Sequence, residues 1–190
     1  MDSKDRENKL YQDGKRCIIT HEELFMMKLL QDSINSNQKL LDIGCGTGEV
    51  SNELKKFGLT VHGIDFSETA IEIARQNGLE SSVCDLDKGL LFNNESFDFV
   101  WAGDVIEHVF DPIFVISESA RVLKKGGKFF ATIPYDLSWK VRIKTLLGIS
   151  YQEGVYRKYG QYKHHSFFSD RLLYYMLNVS NLFPTNVYFM

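Results

Sequence analysis

Leu40-Leu41-Asp42-Ile43-Gly44-Cys45-Gly46-Thr47-Gly48-Glu49 opens as a short buried strand and runs directly into a glycine-rich turn and a helix. Glycines at alternate positions permit positive φ, and they let a ligand touch the backbone with no Cβ in the way. The helix behind the turn offers unpaired N–H groups and the positive end of its dipole. A dinucleotide fingerprint is G-x-G-x-x-G, with the third glycine packing helix against strand. Here the pattern is G-x-G-x-G, and Glu49 holds the place of that third glycine. Asp42, just before the turn, would repel a pyrophosphate and suits a ligand with an ammonium and a sulfonium group. Glu49 and Asp42 together disfavour a nicotinamide oxidoreductase.

Further acids recur where the following strands end. Val61-His62-Gly63-Ile64-Asp65 reads as a second strand, and a carboxylate there can accept two hydrogen bonds from ribose hydroxyls. Ser82-Val83-Cys84-Asp85-Leu86 reads as a third, with Asp85 in reach of an adenine amino group. Phe97 to Ala102 is a fourth, leading into Gly103-Asp104-Val105-Ile106-Glu107-His108. Thr20-His21-Glu22-Glu23 is a capping box, and Leu24, Met27, Leu30 and Ile34 mark the face of its helix. Val50, Leu54 and Phe57 form the apolar stripe of the helix after the turn. Ser67 caps a helix carrying Ala70, Ile71 and Ala74. Asp111-Pro112 is an N-cap with proline at the first helical position, opening a helix to Leu123 that Lys124-Lys125-Gly126-Gly127 closes. A fifth strand covers Lys128 to Ile133. Strands alternating with helices imply a parallel sheet with right-handed crossovers, and a ligand beyond the carboxyl ends of the strands.

The segments LLDIGCGTG, VHGIDFSETAIEIAR, VCDLD, FDFVWAGDVIEHV and RVLKKGGKFFATIP, in this order over residues 38–134, resemble the class I S-adenosylmethionine-dependent methyltransferases. They are most similar to the small-molecule group that includes the ubiquinone-biosynthesis O-methyltransferases. The resemblance implies a Rossmann-like, doubly wound, mostly parallel α/β sheet. It implies S-adenosyl-L-methionine as methyl donor and a small-molecule acceptor. Gly44, Cys45 and Gly46 would meet the methionine moiety, with Asp42 near its ammonium. Asp65 would hold the ribose, with Phe66 either stacked on adenine or closing the core. Asp85 and Leu86 would meet the adenine, and backbone at Ala102 and Gly103 would flank the methionine end. In similar enzymes an N-terminal lid closes on the donor carboxylate, which points to Tyr11 and Arg16.

One departure concerns the C-terminal side. The family sheet has seven strands, ending in an antiparallel pair. After Ser169 there is room for one helix (Leu172, Leu173, Met176, Leu177) and one strand, Asn186 to Met190. The expected C-terminal strand pair is therefore incomplete, through a shortened chain or a reduced sheet edge.

Composition is that of one globular domain with a single substantial core: 190 residues, 44% hydrophobic and 25% charged. The expected organisation is an arm and helix over 1–37, a donor-binding core over 38–134, a lid over 135–168, and a helix and strand over 169–190. A net charge of −3 gives no general attraction to nucleic acid. A base-methylating amino-group enzyme is disfavoured as well, because Gly103-Asp104-Val105-Ile106 replaces the D/N-P-P-Y/F type of signature. Three cysteines without framework spacing suggest reduced thiols and a cytoplasmic location. Cys45 reads as turn filler and Cys84 as a small apolar filler. The first ten residues are too polar for a signal peptide, and no apolar run is long enough to span a bilayer.

The reaction asks for an acceptor atom held in line with the S–CH₃ bond. His108 is the favoured general base, with His164 and His165 as further candidates. Asp104, Glu107 and His108 invite a metal reading, since similar ubiquinone-pathway enzymes carry acid-x-x-acid-His at this place. Asp104 shortens the reach, and no metal is expected. The segment 136–165 carries +4 against −3 for the whole chain, so the remainder carries −7. It suits a lid or substrate wall, with Tyr135, Trp139, Tyr159, His164 and His165 as substrate candidates, over an acceptor that is acidic, a glycan or lipid-linked. Leu137 to Leu147 mixes bases with large apolar groups and allows weak membrane-surface contact. The competing reading is a catalytically silent donor-binding or partner-binding protein.

Overall fold

The computed structural model describes residues 19–133 and 168–188, together with Tyr11 and Leu146. Helix α1 (His21–Gln31) precedes strand β1 (Lys39–Ile43), helix α2 (Glu49–Lys55), strand β2 (Thr60–Asp65) and helix α3 (Glu68–Gln76). Strand β3 (Glu80–Val83), a 3-10 turn (Leu86–Lys88), strand β4 (Phe97–Gly103), helix α4 (Pro112–Val122), strand β5 (Leu123–Thr132) and helix α5 (Asp170–Val179) follow. Among the described residues the sheet has five strands in the order β3-β2-β1-β4-β5, all paired in parallel. The order reverses between β1 and β4, and in such sheets the crevice at the reversal receives the ligand.

The strands read as nearly continuous apolar runs because helices cover both faces. Leu40, Leu41 and Ile43 are all fully buried. Alternation sends neighbours to opposite sides. Leu40, Val61, Phe99 and Trp101 pack with Met27, Leu30, Leu54 and Ile71 on one face. Leu41, Ile64, Val100 and Ala102 pack with Val115, Ile116 and Met176 on the other.

The helix starts follow the sequence. Thr20 and Glu23 form the capping box in both directions. Ser67 Oγ accepts from the Ala70 N–H at 3.1 Å, and the Asp111 carboxylate accepts from the Phe114 N–H at 3.0 Å. Four expectations are corrected. The buried face of α1 is Glu23, Met26, Met27 and Leu30, whereas Leu24 is exposed. Helix α4 ends at Val122, and the chain enters β5 at Leu123, which pairs with Phe97. The Lys124–Gly127 stretch does not close the helix. Burial of Leu123 draws it into the sheet, where Gly126 (φ 78°) lies beside a register shift in the β4–β5 pairing and Lys124 Nζ binds both Asp98 oxygens at 2.9 and 2.8 Å. Strand β3 spans Glu80 to Val83 and stops opposite Asp65, so Cys84 and Asp85 lie past its end. Asn186 to Tyr188 carry no strand, and 189–190 lie outside the described residues, as do most of the expected arm and lid.

One close approach was not anticipated. Gly63, mid-strand in β2, faces the glycine turn, and a Cβ there would lie 2.7 Å from Cys45 Sγ and 2.8 Å from Leu79 Cδ2. Gly63→Ala is expected to destabilise the protein by about 1–3 kcal/mol through overpacking. A urea midpoint that falls in this variant, and partly recovers when Cys45→Ala is added, checks it.

Candidate functional site

The turn after β1 carries three left-handed glycines, Gly44 (φ 74°), Gly46 (φ 52°) and Gly48 (φ 88°). A Cβ on Gly44 would collide with Val105 Cγ2, so this position has no room for a side chain. The turn hangs from the end of β2. The N–H groups of Gly44 and Cys45 donate to the Ile64 carbonyl at 2.7 and 2.9 Å. Asp65 Oδ2 accepts from the Gly46 N–H at 3.0 Å, and its Oδ1 accepts from the Ser67 N–H at 2.8 Å. The Cys84 N–H donates to the Asp65 carbonyl at 2.9 Å, which brings the end of β3 alongside.

The acids of this end are buried. Glu23, Asp42 and Asp65 are 5%, 2% and 6% exposed. Burial pushes the Asp42 carboxyl up to about 7, against the hydrogen bond donated by Ser51 Oγ, and the charges of Glu23 and Asp65 add to the rise. Burial likewise raises Glu23, against its hydrogen bonds from Thr20, with Asp104 and Glu22 adding to the rise. Among the described residues, neither Asp42 nor Glu23 pairs with a lysine, arginine or histidine.

The structure thus brings Asp42, Gly44, Cys45, Gly46 and Asp65 together at the ends of β1 and β2. Phe66 follows, partly buried, and Ala102 and Gly103 end the neighbouring strand β4. Asp85 is exposed, its carboxylate accepting from the Asp87 N–H and pairing with Lys88 Nζ at 2.9 Å, while Leu86 starts the 3-10 turn. An adenine contact by the Asp85 side chain therefore competes with Lys88. His108 is 40% exposed, with Nε2 3.7 Å from Oε1 of the buried Glu107. The Cys45 thiol is buried and its ionisation strongly disfavoured by burial, in keeping with a turn filler. Tyr11 is partly buried. Arg16, Tyr135, Trp139, Tyr159, His164 and His165 lie outside the described residues. Among the described residues no group of three His, Cys, Asp or Glu side chains is placed to hold a metal ion.

Two residues of the site escaped the sequence reading. Ser51 lies in the first turn of α2 and bonds Asp42. Glu23 was legible only as a cap. Its signal is its place in the stripe 23, 26, 27, 30, where an apolar residue is the norm.

Asp42 and Glu23, buried and with no basic partner among the described residues, beside a glycine backbone at a strand-order reversal, fit a ligand with a cationic end. The family model described as "Methyltransferase domain" matches residues 41–131. Over these residues the chain is similar to the class I S-adenosylmethionine-dependent methyltransferases, and its sheet is of their type. Its relatives include the ubiquinone biosynthesis O-methyltransferase of Coxiella burnetii, 33% identical over 132 residues, 66% of this chain and 56% of that protein. The Hahella chejuensis protein of the same name is 40% identical over 103 residues, 50% of this chain and 43% of that one. The solved SAM-dependent methyltransferase of Thermotoga maritima is 26% identical and superposes with a TM-score of 0.69, covering 91% of this chain and 78% of that one. The chain spans about half the length of the curated relatives it matches. No described helix is long and apolar enough to cross a membrane.

The raised Asp42 carboxyl gives a signed expectation. Between its ordinary value of 3.8 and about 7 the folded state holds this proton more tightly than the unfolded state does. Asp42 therefore costs nothing below that window, and its cost grows as pH rises through it. Asp42→Asn in the ligand-free protein is expected to match the parent near pH 4 and to melt at least about 2 °C higher at pH 8. Thermal melts of both proteins at the two pH values check this.

Proposed function

We propose that the chain transfers a methyl group from S-adenosylmethionine to a small-molecule acceptor, through an oxygen nucleophile. The observation that carries this is the pair of buried carboxylates, Asp42 and Asp65, on either side of a glycine turn, with Asp42 lacking a cationic partner among the described residues. The relatives named as O-methyltransferases support oxygen as the attacked atom.

When bound, S-adenosylmethionine supplies a methyl group on a sulfonium that is already strongly electrophilic. The work left to the chain is to bind, to orient and to keep water out. Asp65, already fixed by the Gly46 and Ser67 N–H groups, is presented to the ribose hydroxyls. Asp42 faces the ammonium, and ionises fully once that cation offsets its burial. Backbone at Gly44, Cys45 and Gly46, and at Ala102 and Gly103, holds the methionine end. Asp85 and Leu86 take the adenine edge, with Phe66 beside it. Tyr11 and Arg16 are the candidates to recognise the donor carboxylate. His108, beside the buried Glu107, takes the proton of an acceptor hydroxyl. Tyr135, Trp139, Tyr159, His164 and His165 are the candidates for acceptor recognition, and the excess of bases over 136–165 favours an acidic acceptor.

Calorimetric titration with S-adenosylhomocysteine tests the donor site. Micromolar binding that weakens at least about tenfold in a folded Asp65→Ala variant is expected, since it removes a charge-assisted hydrogen bond. No binding by the folded parent overturns the assignment. With an acceptor found by a labelled-donor screen, His108→Gln is expected to lower kcat roughly hundredfold. It should also remove the fall in rate at low pH while leaving S-adenosylhomocysteine affinity unchanged. A retained acidic limb would show that another group is the base.

A further inference from the structure

Helix α1 brings a carboxylate to a place that its other buried residues fill with apolar groups. Glu23 shares the inward stripe with Met26, Met27 and Leu30 and is 5% exposed. Its two oxygens have different surroundings. Oε2 closes the capping box, accepting from the Thr20 N–H at 2.8 Å and from Thr20 Oγ1 at 3.1 Å. Oε1 takes no hydrogen bond among the described residues and is aimed at the end of β4. A Cβ built on Gly103 would stand 2.6 Å from it, with Trp101 Nε1 3.1 Å from the same point. A side chain at 103 would displace the carboxylate. The neighbouring charges that act on Glu23 are those of Asp104 and Glu22, both of its own sign. A carboxylate nine-tenths buried, held by one oxygen and unmatched by any described cation, costs stability unless a positive group arrives from outside.

We propose that Glu23 is a cation-recognition residue of the donor pocket, its Oε1 taking the α-ammonium of the donor beside Gly103 while its Oε2 keeps the start of α1 capped. The assignment rests on the donor-site reading above. It makes the acid at the end of β1 one of two, on separate elements, that meet the same cation. It also ties the N-terminal end of α1 to occupancy of the pocket, because one side chain serves both.

Glu23→Gln separates the two tasks. A glutamine at this position of a capping box still accepts from the N-cap N–H, so the helix start is retained. Calorimetric titration at pH 8 would compare S-adenosylhomocysteine, which carries the ammonium, with methylthioadenosine, which lacks the amino-acid end. Glu23→Gln is expected to weaken S-adenosylhomocysteine roughly ten- to a hundredfold, the loss of one buried hydrogen bond to a charged group. Methylthioadenosine is expected to change by less than about twofold. If Glu23→Gln does not fold, Glu23→Leu, which completes the apolar stripe of α1, supplies the same comparison. Equal losses for both ligands, or no loss for either, overturn the role of Glu23 while the donor site stands. Failure of the parent to bind either ligand overturns the donor site, and the role of Glu23 with it.

Discussion

The carboxylate of Asp65 is the joint on which this end of the molecule is assembled. One oxygen fixes the glycine turn that follows β1, and the other fixes the residue that caps α3. The adjoining Ile64 carbonyl takes two more N–H groups from the turn. The glycine turn and the start of α3 are thus referred to one strand end. Backbone N–H groups in a buried place must be satisfied, and a carboxylate can satisfy several at once. The same group then keeps its position when a ligand with hydroxyls arrives, so little ordering is left to be done on binding.

Around that joint the fold accumulates charge of one sign. Asp42 stands behind the turn and Glu23 comes across from α1, both buried. A packed core gains nothing from such acids, and the upward shift of Asp42 measures how unwelcome its charge is in the ligand-free state. Sites of this kind trade stability for readiness to bind. The trade is local. Elsewhere some acids are matched, as in Glu118 with Arg121 and Asp98 with Lys124.

Much of this architecture could be read from the chain, because local signals agreed with the global pattern. Glycines at 44, 46 and 48 do adopt positive φ, and Thr20, Ser67 and Asp111 do cap helices. What escaped depended on contacts between distant residues. Gly126 and Gly127 resemble a helix terminus in isolation, yet burial of Leu123 against β4 had already ended the helix. Leu24 fits a helical face by spacing, but the sheet meets α1 on the side of Glu23 and Met26. Glu23 could be seen as a cap, but nothing in sequence spacing shows that α1 crosses the end of β4.

The contact between Gly63 and Cys45 has a consequence for how such a sequence can change over time. One position lies in a strand and the other in a turn, yet they draw on one small volume. The thiol fits at 45 because 63 has no side chain. A lineage that enlarges residue 63 while Cys45 and Leu79 stay as they are gives up stability, so a smaller residue at 45 eases that step. The glycine-rich turn therefore inherits a constraint unrelated to ligand binding. Part of the variation seen in its second position across descendants should track β2 and not the chemistry of the acceptor.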